Sequence, residues 1–277
     1  MSVTVVAKKE FRDAVRSRLL LVLIAVFSLF TLGGAVLVSQ VGELFGLGEE
    51  AGIIGVILAL QTPASVLVPL ISLVVSYRSI VGERESGSVK YLLGLPHARR
   101  DVVLGKVLGR TGVVSVAILV GFGVGIVAIV ALIGSFDPAA YLGFTLVTVL
   151  LGLVWVSIGV GCSSVTRSPT RAGIVGFGLL LLFWILWDFV GLALLYATDS
   201  LDMTGEPIPG WYALFSAIPP GSAYGLVGSA LLPSEAGFEA AGELSVFLSP
   251  TFGAFVLLLW IVVPLGVGLL IFERSDL

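Results

Sequence analysis

Six stretches of this chain, at about 19–40, 53–77, 111–134, 142–165, 172–197 and 251–272, contain no Lys or Arg and are mostly apolar. Each is long enough to cross the hydrocarbon core of a bilayer, which takes about 20 mostly apolar residues as an α-helix. Within that core every backbone N–H and C=O must find its partner inside the protein, so stretches of this length can only be helices. Composition agrees: 12% of the 277 residues are charged, against about 25% in a soluble domain, and the mean hydropathy is +1.12. The expected fold class is an all-α integral membrane protein, a single domain over 1–277 with six transmembrane helices.

Charge placement sets the expected orientation. All fifteen Lys and Arg residues fall in 1–18, 78–110, 166–171 and 273–277. The loops on the other side of the spans carry ten acids and no base. The Lys/Arg bias of cytoplasmic loops then puts both termini in the cytoplasm. A further apolar stretch, at about 208–233, is cut by Pro219-Pro220 and flanked by acids on both sides. It reads as short re-entrant or interfacial helices within an extracytoplasmic segment over 198–250, not as a seventh span. The first span is too long for a signal-peptide core, and the chain keeps crossing after it.

Residues 1–18 form an expected amphipathic interfacial helix, with Val3, Ala7, Phe11, Ala14 and Val15 on one face. Lys8, Lys9, Arg12 and Arg16 fall elsewhere, where they can meet anionic headgroups. The loop over 78–110 alternates in charge sign. Gly87 divides a short charged helix from a second one at 88–95, Pro96 ends the second, and Asp101 can open the helix that becomes the third span. Such an elbow suits either protein docking or a solvated connection. Chemistry-bearing residues are few. Cys162 stands alone, so no intramolecular disulfide can form, and the one histidine, His97, lies in the charged loop. No metal site is expected. Asp188 is the one acid inside a span. With Gln61, beside Pro63 in the second span, it is a candidate for a translocation path, because intramembrane carboxylates are costly and kept for use. The glycines of the third span, Gly121, Gly123 and Gly125, read as close-packing positions.

The run Glu83-Arg84-Glu85-Ser86-Gly87-Ser88-Val89-Lys90-x-Leu92-Leu93-x-x-Pro96, continued by Arg99-Arg100-Asp101-x-x-x-Gly105-Lys106, resembles the hallmark of type-two ABC exporter permeases. The sequence Arg16-Ser17-Arg18 before the first span and the long outer segment before the last one fit the same family. The resemblance implies a permease that does not itself hydrolyse ATP. The chain has no Gly-x-x-x-x-Gly-Lys-Ser/Thr phosphate loop, since Val107 follows Gly105-Lys106 and Arg100 stands where the first glycine would be. ATP and Mg would bind a separate ATPase subunit, and no cofactor would bind this chain. Glu83, Arg84, Glu85, Ser86, Gly87, Ser88, Lys90, Leu92, Leu93, Pro96, Arg99 and Lys106 would form the coupling element seated on that ATPase.

A second permease copy or paralogue and membrane lipids are the other implied partners, in the plasma membrane, with no nucleic acid. One branch of the family serves copper delivery during nitrous-oxide reductase maturation, and the single-domain layout is compatible with it. Met203 is the one Met, Cys or His in the outer segments. A stand-alone secondary transporter would need ion ligands or a proton relay beyond Asp188, and an intramembrane enzyme would need paired acids or a histidine in a span. A passive anchor for a cytosolic ATPase would share the docking site and lack transport.

Overall fold

The computed structural model describes residues 3–41, 52–86, 98–134, 136–198, 209–231 and 246–274. Among them all regular structure is helical. The helices are α1 (Val3–Val15), α2 (Arg18–Val41), α3 (Gly52–Ser76), α4 (Val81–Glu85), α5 (Arg99–Leu132), α6 (Pro138–Val165), α7 (Pro169–Leu181), α8 (Trp187–Ala197), α9 (Gly210–Ala217), α10 (Pro220–Ser229) and α11 (Pro250–Arg274). A π-helical turn, Leu182–Leu186, joins α7 to α8. Six helical stretches are long and apolar enough to cross a membrane: Arg18–Gln40, Ile54–Glu85, Arg99–Leu132, Pro138–Val165, Pro169–Ala197 and Pro250–Arg274. These are the six stretches expected from the sequence, with two extensions at their charged ends.

The extensions matter most in α5. Its 34 residues rise about 50 Å at 1.5 Å each, well beyond a hydrocarbon core of about 30 Å. Its first three turns therefore project from the apolar slab. Ala98 is the N-cap, and Asp101 lies in the first turn, where a negative charge suits the helix dipole. At the other end Asp137 caps α6, its Oδ1 accepting from the N–H groups of Ala139 and Ala140.

The fourth span, α6, is the axis of the bundle. Two thirds of its most apolar window (67%) is buried, against 11% for the fifth span. Close approach is made by small residues. Gly121 and Gly125 of α5 face Phe27 and Thr31 of α2, so that the four-residue step on one helix meets the same step on the other. Thr31 Oγ1 donates to the Gly121 carbonyl at 3.0 Å across this contact. Gly123, between them in sequence, faces open space. Gly161 of α6 approaches the Pro264 backbone of α11. Cys162 is a buried free thiol in the same region.

Pro219-Pro220 breaks the 208–233 stretch into α9 and α10, as expected. α10 packs among α3, α6 and α11. Tyr224 is buried and its hydroxyl meets Thr148 Oγ1 at 3.0 Å. Trp260 Nε1 donates to the Ile218 carbonyl at 2.8 Å, and Trp187 Nε1 to that of Phe215 at 3.0 Å. These bonds fasten the broken segment to the last and fifth spans.

The face of α1 buried against the protein is Val6, Glu10 and Ala14, while Val3, Ala7 and Phe11 of the expected apolar face are half-buried and Val15 is exposed. The reason is the partner surface, where Gly105 and Gly109 of α5 leave room against Val6 and Glu10. The fifth span is not a uniform α-helix, because the π turn interrupts it at Leu182–Leu186.

Candidate functional site

One end of the bundle gathers α1, the turn from α3 into α4, the start of α5, and the ends of α6 and α11. The backbone N–H groups of Ile80 and Val81, which open α4, both donate to Ser163 Oγ at 3.0 Å. A single buried hydroxyl thus fixes the start of α4 to the end of α6. Lys106 of α5 lies behind it, buried, with Nζ 2.8 Å from Glu10 Oε1 and 2.8 Å from Glu83 Oε1. Glu10 Oε2 takes Arg110 Nη2 at 2.8 Å. One ammonium therefore ties the N-terminal helix, α4 and α5 together.

The electrostatics of this cluster are those of a buried network. Burial alone would push the Glu10 carboxyl up, but Lys106 and Arg110 outweigh it and hold the group below the ordinary carboxylate range. Such pairs add little net stability over apolar neighbours, yet removing one partner strands a charge and costs about 3–5 kcal/mol.

The arginines of the loop motif converge on the end of α11. Arg99 Nη1 donates to the carbonyls of Phe272 at 2.7 Å and Glu273 at 3.0 Å. Arg84 lies 4.8 Å over the Phe272 ring and donates from Nη1 to the Thr166 carbonyl at 3.3 Å. Cations at helix C-termini complement the dipole and satisfy the last carbonyls. Glu85 and Ser86 face solvent. Glu85 meets Arg78 at 3.2 Å with both side chains more than half exposed, a pair worth at most about 1 kcal/mol. Beside it lies an open groove of about 470 Å³ bordered by Tyr77, Arg78, Glu85, Pro169, Thr170 and Phe177.

The structure thus brings Glu83, Arg84, Arg99 and Lys106 into one assembly and leaves Glu85 and Ser86 on its surface. Gly87, Ser88, Lys90, Leu92, Leu93 and Pro96 lie outside the described residues, as do His97 and Met203. On α1, Lys8, Lys9 and Arg12 are exposed, as is Arg16 just beyond it, and Phe11 is half-buried against Gly112. Glu10 is the residue that sequence reasoning missed. Its signal was its place four residues from both Val6 and Ala14, matching Gly105 and Gly109 on a helix far along the chain.

The two path candidates do not come together. Gln61 Nε2 donates to the Gly225 carbonyl at 3.2 Å, fastening α3 to α10. Asp188 is exposed and lines a separate cavity with Ser65 and Trp155.

The family model described as ABC-2 family transporter protein matches residues 4–277. The chain belongs to the ABC-2 transporter family. Among its curated relatives is a probable ABC transporter permease protein NosY of Pseudomonas aeruginosa. It is 33% identical over 203 residues, which cover 70% of this chain and 71% of the relative. A second, the NosY of Stutzerimonas stutzeri, is 31% identical over 270 residues, covering 96% of this chain and 94% of the relative. This ABC-2 chain is thus similar to NosY permeases over nearly its whole length. It is a multi-pass membrane subunit of the permease kind, which in this family works with ATPase subunits.

Proposed function

We propose that this chain couples ATP hydrolysis by a separate ATPase to export across the plasma membrane, with the basic end of the bundle in the cytoplasm. The observation that carries this reading is the Glu10–Lys106–Glu83 network. A force applied to α4 passes through Lys106 into both α1 and α5, and through Ser163 into α6. Interfaces and packed cores of this kind are bistable, so a push at α4 moves whole spans. The ATPase docks on the exposed remainder of the motif, at Glu85 and Ser86 and in the groove beside Arg78. A second permease copy covers the exposed fifth span, and cargo moves between the two.

Glu85 is the residue for testing docking, because its reversal leaves the buried network intact. The tagged chain is solubilised mildly from its native membrane, and co-purifying proteins are identified for wild type and Glu85→Arg. Recovery of a phosphate-loop ATPase with wild type, and its loss with Glu85→Arg at unchanged permease yield, is the expected result. Absence of any ATPase from wild type under conditions that preserve other membrane complexes would sink the reading.

A further inference from the structure

Asp188 opens into a cavity of about 230 Å³ whose lining includes Ser65, Trp155, Phe183, Trp184 and Ser222. Three observations converge there. First, the carboxylate has no ion pair among the described residues, and its own chain holds none in reserve. No Lys or Arg occurs over 111–166 or over 172–273, so neither this chain nor a second copy can supply a cation at that depth. A carboxylate within a span is costly unless something compensates it.

Second, Trp155, Phe183 and Trp184 border the same cavity, and ring faces attract cations that have shed their water. Third, the π turn Leu182–Leu186 delivers Phe183 and Trp184 to the cavity one turn before Asp188. Single π turns inside helices occur frequently at functional sites.

We propose that this cavity binds a small organic cation, with choline as the simplest probe. Asp188 supplies the countercharge, and Phe183 and Trp184 replace the water of the onium group. The site is a property of this chain alone. Its meaning as a cargo site rests on the transport reading, in which a second copy covers the same span.

The test uses the whole chain in phosphatidylglycerol nanodiscs without an ATPase, and radiolabelled choline in equilibrium dialysis against empty discs. The competitor is choline's uncharged isostere, in which carbon replaces the quaternary nitrogen. Saturable choline binding is expected, with the isostere weaker by at least about tenfold and Asp188→Asn weakened by a similar factor. Equal competition by the isostere overturns the proposal, since the carboxylate would then be neutral or remote. So does an absence of saturable binding to wild type, or Asp188→Asn binding as wild type does. The isostere comparison is made on wild-type protein and holds even where the variant folds poorly. Choline binding in a chain that recruits no ATPase would remove the transport reading and leave the site standing.

Discussion

Lys106 satisfies two carboxylates from two different helices while 1% exposed. Lys106→Met keeps the length of the stem and removes the charge, taking the shared ammonium from both Glu10 and Glu83. We expect a loss of about 3–5 kcal/mol, read as a lower melting temperature of the purified chain in detergent. Adding Glu10→Gln and Glu83→Gln to that variant should recover much of the loss, because the stranded charges go with their partner. A Lys106→Met chain that melts like wild type would show the network to be idle. The same network gives a pH dependence of known sign. The folded Glu10 carboxyl lies below the ordinary value of 4.5, so its stabilisation is complete above that pH and lost as pH falls through the folded value. Melting should therefore drop more steeply below about pH 4.5 in wild type than in Glu10→Gln. The cluster was half legible in the sequence. Glu83 and Lys106 stood in a recognisable motif, but as residues turned toward a partner subunit. Glu10 carried no local mark, because its counter-ions lie in a helix that begins at residue 99, and nothing in 3–15 alone distinguishes it from a solvated acid.

The helices were legible for a reason that does not extend to their faces. A bilayer forces length and apolarity on any spanning segment, so the six spans could be read from the chain, though not the charged turns that lengthen the second and third. Which side of a span meets protein is set by small residues on its neighbours. Val6 and Glu10 rest on Gly105 and Gly109, and Phe27 rests on Gly121, yet Gly123 looks the same in sequence and faces open space. The π turn was equally hidden, since Leu182–Leu186 contains no Pro or Gly to mark it. The contrast among the glycines can be measured. Gly109→Leu places side-chain carbon against the Glu10 stem and the Ala7 backbone, and overpacking of this kind costs about 1–3 kcal/mol. We expect α1 to lift from α5 and trypsin to cut at Lys8, Lys9 and Arg12 faster than in wild type. Gly123→Leu should leave both the cleavage rate and the melting temperature unchanged. Equal protection of α1 in the two variants would mean that the α1–α5 contact is not set by that glycine.

At the scale of the whole molecule, charge is sorted by end. The start of α5 meets the end of α11 through Arg99, and the end of α3 meets the end of α6 through Ser163, so the segments rich in Lys and Arg lie together. Asp137 and the α9–α10 pair lie toward the opposite end, which carries acids and no base in the sequence. If the basic end is cytoplasmic, as the Lys/Arg bias requires, every device described at α4 faces the compartment that holds ATP, and the Asp188 cavity lies in the outer half. Orientation is therefore the premise on which both the coupling and the cargo readings stand. It is tested in a Cys162→Ser background, with cysteine placed at exposed Arg100 or at Ala139, in intact cells treated with a membrane-impermeant maleimide. Ala139→Cys should label from outside, and Arg100→Cys only after permeabilisation. Reversed labelling would put Glu83, Lys106 and the docking groove on the outer face, out of reach of any cytoplasmic ATPase, and the network would then be a structural clamp with no partner to drive it.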